Sequence, residues 1–60
     1  MTLNDFGIGD TVRLNSGGPD MTVKGKTDAE LLCNWFYTDG TIGTSFFSPL
    51  IVVLVKKAKP

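Results

Sequence analysis

Sixty residues allow one small domain, and a chain of that size buries only about 60% of the surface its unfolded form exposes, so the stability margin is thin. Six acidic and six basic side chains cancel, which argues against a dedicated nucleic-acid binder, because phosphate neutralisation asks for a basic surplus. With no His and a single Cys, neither a disulfide framework nor a tetrahedral zinc site can be built within the chain, and no cofactor is expected.

Residues 1–5 form a polar lead-in without the apolar stretch of a signal peptide. Phe6-Gly7-Ile8-Gly9-Asp10 reads as a turn that lays Phe6 and Ile8 against the core. Residues 11–14 make a first strand, with Val12 and Leu14 on one face and Arg13 on the other. Gly17 and Gly18 permit positive φ and Pro19 lacks an amide donor, so residues 15–20 connect it to a second strand at 21–26, with Met21 and Val23 facing inward. After a turn at 27–30, a third strand at 31–37 separates Leu31, Cys33, Trp35 and Tyr37 from Leu32, Asn34 and Phe36. The set containing Trp35 is larger and is assigned to the core. Asp39-Gly40 signals a hairpin into a fourth strand at 41–47, interrupted by Gly43. Ser48-Pro49-Leu50 is a short turn, and residues 51–55 make a fifth strand before a lysine-bearing tail at 56–60.

No segment supports a helix of three turns, and residues 50–55, the longest apolar run, are too short to cross a bilayer as a helix. Five short strands with tight turns predict an all-β fold, a small five-stranded antiparallel SH3-like barrel whose closure removes exposed edges. One domain spans residues 1–60, its core running from about residue 6 to about residue 55. Phe6, Ile8, Val12, Leu14, Met21, Val23, Leu31, Trp35, Phe46, Leu50, Val52 and Leu54 supply that core.

Catalytic chemistry finds little purchase. The commonest general base is absent, and Cys33, between Leu32 and Asn34 in a strand, reads as a buried inert thiol. A lone thiol fits a reducing compartment, so a cytoplasmic location is expected. Asp10, Asp20 and Asp39 flank turns, where a carboxylate accepts local backbone hydrogen bonds. The Ser16-Gly17-Gly18 loop lacks the Lys-Ser/Thr and the helix that give a P-loop its anion affinity, so it reads as a turn.

Two features point to contact with other molecules. Trp35, Phe36 and Tyr37 are consecutive, and strand geometry sends neighbours to opposite faces, so at least one large ring is exposed. Phe36 beside Leu32 would then form an apolar patch. In the fifth strand Ile51, Val53 and Val55 share one face and Val52 and Leu54 the other. A strand apolar on both faces asks for cover on both, which predicts a homodimer or strand-exchanged assembly through residues 51–55.

The pattern Phe6-x-Ile8-Gly9-Asp10-x-Val12-x-Leu14-x-Ser16-Gly17-Gly18-Pro19-x-Met21-Thr22-Val23, followed by Cys33-x-Trp35-Phe36 and then Phe46 and Leu50, resembles the YodC-like family of small bacterial proteins. The resemblance covers residues 6–50. It implies a small β domain with no established activity, and it carries over no catalytic or binding residues. The apolar run at 51–55 departs from the family's usual shape. Gly9-Asp10-x-Val12 is also similar to the opening of KOW-type barrels of transcription and ribosomal proteins.

The expected function is a non-enzymatic binding or adaptor module that meets a protein partner through Phe36 and Leu32, together with the loop residues Asn15, Ser16 and Asp20. The alternative is weak nucleic-acid binding by Arg13, Lys24, Lys26, Lys56 and Lys57 around an aromatic platform.

Overall fold

The structure, a computed structural model, describes residues 5–58; residues 1–4 of the expected lead-in and Lys59 of the expected tail lie outside the described residues. Five strands form: β1 (Thr11–Leu14), β2 (Met21–Lys26), β3 (Leu31–Phe36), β4 (Ile42–Phe47) and β5 (Val52–Lys56). Each starts and stops within one residue of where the alternation of apolar and polar side chains places it. No helix among the described residues is long and apolar enough to cross a membrane.

All pairings are antiparallel, within a single sheet of order β4-β3-β2-β1-β5. The sheet is not closed: β4 and β5 are its two edges and do not pair with each other, which corrects the expected closed barrel. The reason lies in the connection between them. Residues 48–51 fold into a compact turn in which the Ile51 N–H donates to the Ser48 carbonyl (3.2 Å). The Ile51 carbonyl then accepts the Asn15 N–H (2.8 Å). The chain is thus handed to β1 rather than back along β4, and one side of β5 is taken up by β1.

That same connection forces the sheet to curl. A flat five-stranded sheet would hold its edges roughly 19 Å apart. The five steps from Phe47 to Val52 reach at most roughly 18 Å even when fully extended, and here they form a turn. Irregularities in register between Val23 and Gly25, and between Thr11 and Val12, add bend and twist where the sheet needs them.

The concave face holds the core. Phe6, Val12, Met21, Val23, Leu31, Cys33 and Val52 are buried, with Leu14, Trp35, Phe47 and Leu54 packed partly around them. Full burial of a Leu, Val or Phe side chain is worth about 1.5–3 kcal/mol, so even this short roster holds the sheet in shape. Four side chains expected inside are instead exposed: Ile8, Phe46, Leu50 and Tyr37, which lies just past the end of β3. Ile8 sits at the tip of the turn between Gly7 and Gly9. Phe46 and Phe47 are neighbours on one strand, and the register sends Phe47 inward opposite Leu31 while Phe46 goes outward opposite Leu32. In the turn after β4 it is Pro49 that is buried, leaving Leu50 at the surface.

Trp35 is only partly buried, and it lies across Gly43 on the neighbouring strand. A Cβ at position 43 would stand 2.6 Å from two indole carbons, so glycine there is the seat of the indole. Tyr37 and Phe47 flank the indole edge-on, each with ring centroids 5.9 Å away at 68°.

Candidate functional site

At one end of the sheet a carboxylate has been taken inside. Asp10 is 2% exposed. Its side chain accepts the Gly7 N–H at 2.9 Å and the Ala58 N–H at 2.8 Å, and the Lys57 ammonium lies 3.2 Å away. Its own carbonyl accepts the Val23 N–H at 2.9 Å, while the Gly9 N–H donates to the Val23 carbonyl at 2.7 Å. The Ala58 and Gly7 N–H groups, with help from Lys57, hold the carboxyl below the ordinary 3.8 in spite of burial, which acts the other way. Both carboxylate oxygens are engaged from within the chain, so side chain and main chain of Asp10 together clasp the N-terminal turn, β2 and the segment after β5.

Among the described residues, the other buried titratable group is Cys33, whose thiol burial pushes up, away from the thiolate that nucleophilic chemistry needs. Asp39 is exposed at the hairpin tip, accepts the Thr41 N–H (3.0 Å) and hydroxyl (2.7 Å), and is lowered by them. Asp10 and Asp39 therefore both make the local turn bonds their sequence positions predict. Among the described residues, no three His, Cys, Asp or Glu side chains gather to hold a metal ion.

On the convex face of the β3–β4 hairpin the arrangement is the reverse: apolar side chains are left outside. The register sets Phe36 opposite Ile42, Asn34 opposite Thr44 and Leu32 opposite Phe46. Phe36 is 71% exposed, Ile42 58% and Phe46 49%, while Leu32 is partly buried against Gly25. Directly opposed side chains on one face have Cβ atoms about 5 Å apart, and the next pair along lies roughly 7 Å away. Two apolar cross-strand pairs therefore flank one polar pair, all on β3 and the edge strand β4.

Leu32 and Phe36, named from sequence, do share this face. The loop residues named with them do not all join it. Asp20 immediately precedes β2, and the pairing of Thr22 with Asn34 carries it to the level of Phe36. Asn15 is instead turned to the β4–β5 connection, where its Nδ2 donates to the Leu50 carbonyl at 3.4 Å. Ser16 is exposed in the turn closed by the Gly17 N–H on the Leu14 carbonyl at 3.0 Å. Gly17 and Gly18 both hold positive φ there, at 107° and 106°, as the loop requires.

Of the basic residues, Lys57 is spent on Asp10, and Lys26 donates to the Phe6 carbonyl at 2.9 Å. Arg13, Lys24 and Lys56 are exposed on β1, β2 and β5. Lys56 belongs to β5 rather than to a tail.

Ile42 and Phe46 were missed by sequence reasoning, although a signal existed. Gly40 has φ of 89°, and the Tyr37 N–H donates to the Thr41 carbonyl at 2.8 Å. A three-residue hairpin loop ending in a left-handed glycine pairs the flanking residues in just this way. Counting back from that turn puts Phe36 opposite Ile42 and Leu32 opposite Phe46.

A family model described as "Uncharacterized small protein (DUF2158)" matches residues 7–52. No curated protein and no solved structure matches the chain.

Proposed function

The chain belongs to the DUF2158 family of uncharacterized small proteins, and we propose that this domain works by binding a protein partner rather than by catalysis. The observation that carries the reading is the paired apolar face of the β3–β4 hairpin, Phe36 with Ile42 and Leu32 with Phe46. A 60-residue domain with few large apolar side chains to build its core leaves these four on its convex side. Large exposed apolar side chains gathered on one face of a small domain ordinarily mark an interaction surface. Asp20, at the level of Phe36, supplies a polar rim.

The finer assignments rest on lesser supports. The pairing of the first strand with the last favours an SH3-like arrangement, open between β4 and β5. The Ser16–Val23 segment that carries the YodC-like resemblance falls inside the matched span. The unpaired, buried Cys33 suits a reducing cytoplasm. Nucleic-acid binding has less support, since two of its five cations are held in intramolecular contacts.

Affinity purification of tagged protein from cross-linked native cells tests the reading. The expected result is a protein enriched by the wild type, lost with Phe36→Ser and kept with Arg13→Ser. Capture indifferent to Phe36→Ser would overturn it, as would low-salt oligonucleotide binding that Arg13→Ser weakens.

A further inference from the structure

The two edges of the sheet are defended very differently. β5 ends in Lys56, is followed at once by Lys57, and its ladder with β1 is broken by an irregularity. β4 carries none of the devices that keep a free edge from pairing. Ile42–Phe47 contains no charged residue and no proline, and its register with β3 runs unbroken from Phe36↔Ile42 to Leu31↔Phe47.

The hydrogen bond from the Tyr37 N–H to the Thr41 carbonyl (2.8 Å) sets the alternation along this hairpin. It makes Tyr37 and Thr41 a hydrogen-bonded pair, so Gly43, Ser45 and Phe47 bond to β3 as well. Ile42, Thr44 and Phe46 then direct their N–H and C=O groups to the free edge.

We infer that two copies of this chain join edge to edge through β4, antiparallel, about a two-fold axis at Thr44. The strand is self-complementary about that residue. Ile42-Gly43-Thr44-Ser45-Phe46 reads apolar, small, Thr, small, apolar in either direction. Antiparallel pairing centred on Thr44 sets Ile42 against Phe46 of the second copy, Thr44 against its counterpart, and Phe46 against Ile42. β-Branched–aromatic and Thr–Thr pairs are both favourable cross-strand partners.

The three outward residues of each copy exchange their main-chain bonds, and the shared edge is used up, so the assembly stops at two. A charged peptide finds no counter-charge on this edge, whereas a second copy of a chain with zero formal charge meets no net repulsion. The inference goes beyond the binding reading and stands without it. Its consequence for that reading is that the apolar face is completed only in the dimer. Leu32, Phe46, then Ile42 and Phe36 of the second copy form one continuous row, and its symmetry mate forms another.

Light scattering on size-separated protein across a dilution series reads the assembly as a mass rising from 6.5 kDa to twice that value. Thr44 is exposed and turns its N–H away from β3, so Thr44→Lys leaves the domain folded while setting like charges face to face at the axis. Thr44→Lys and Thr44→Glu each run as folded monomers, and an equal mixture of the two recovers the doubled mass, which an unfolded variant would not do. In hydrogen exchange, the amides of Ile42, Thr44 and Phe46 slow as concentration rises, while those of Gly43, Ser45 and Phe47 are protected at every concentration. A constant 6.5 kDa, a dimer that Thr44→Lys leaves intact, a mixture that stays monomeric, or concentration-dependent protection confined to residues 51–55 would each overturn the inference.

Discussion

The Asp10 clasp and the β3–β4 hairpin both invert the usual rule of polar outside and apolar inside, with opposite results. Asp10 is buried, yet the N–H groups of Gly7 and Ala58 and the ammonium of Lys57 answer it from within the chain. Phe36 and Ile42 are exposed, and nothing within the domain answers them. A misplaced group that its own molecule satisfies belongs to the architecture. One that its molecule leaves unsatisfied is a surface waiting for something else. Chemical type alone does not separate the two, since an acidic side chain invites a catalytic reading more readily than a phenyl ring does.

The comparison can be broken most forcefully at Asp10. Asp10→Ala removes the acceptor of two N–H groups and the ion-pair partner of Lys57, so the thermal midpoint should fall by roughly ten degrees or more. Because the carboxyl is held below 3.8 in the fold, its stabilisation is complete above that value and is lost as pH falls through the lower folded value. Through this acid range the melting midpoint should fall with pH more steeply for the wild type than for Asp10→Ala, with the remaining slope coming from Asp39, which is lowered in the same direction. An equal pH response in both proteins would remove Asp10 from its architectural role.

A middling effect is expected at the seat of the indole. Gly43→Val brings a side chain within 2.6 Å of Trp35, and overpacking of this kind costs about 1–3 kcal/mol. Because Trp35 is only partly buried, the indole swings outward, and its fluorescence should shift to the red along with the lower melting point. Phe36→Ser should do least: a side chain 71% exposed contributes about 0.5 kcal/mol or less to stability, and denaturant titration should place mutant and wild type together. A large loss there would mean that the hairpin face is architecture after all.

Much of the fold was legible because strand alternation and turn residues are local signals. The five strands, the inward Leu31, Cys33 and Trp35 of β3 (though not Tyr37) and the turn roles of Asp10 and Asp39 all follow from them. What was not legible depends on register and on long-range handover. Phe46 and Phe47 are chemically identical neighbours, and only the pairing with β3 decides which is buried. Gly43 reads as an interruption until Trp35 is seen lying over it. Closure depends on how residues 48–51 deliver the chain to β1, which no local pattern encodes. Half of the hairpin face was visible from β3 alone; Ile42 and Phe46 required the turn geometry at Gly40.

The pairing of β1 with β5 also sets the order in which the molecule can assemble. β1, β2, β3 and β4 meet through short turns and can zip together from nearest neighbours. β1 must find a strand some forty positions downstream, and the bond from Ala58 to Asp10 closes a gap of 48 residues. Until that distant closure occurs the four-stranded meander lacks Val52 and Leu54 against its core, so the entropy of one long loop weighs on the folding time.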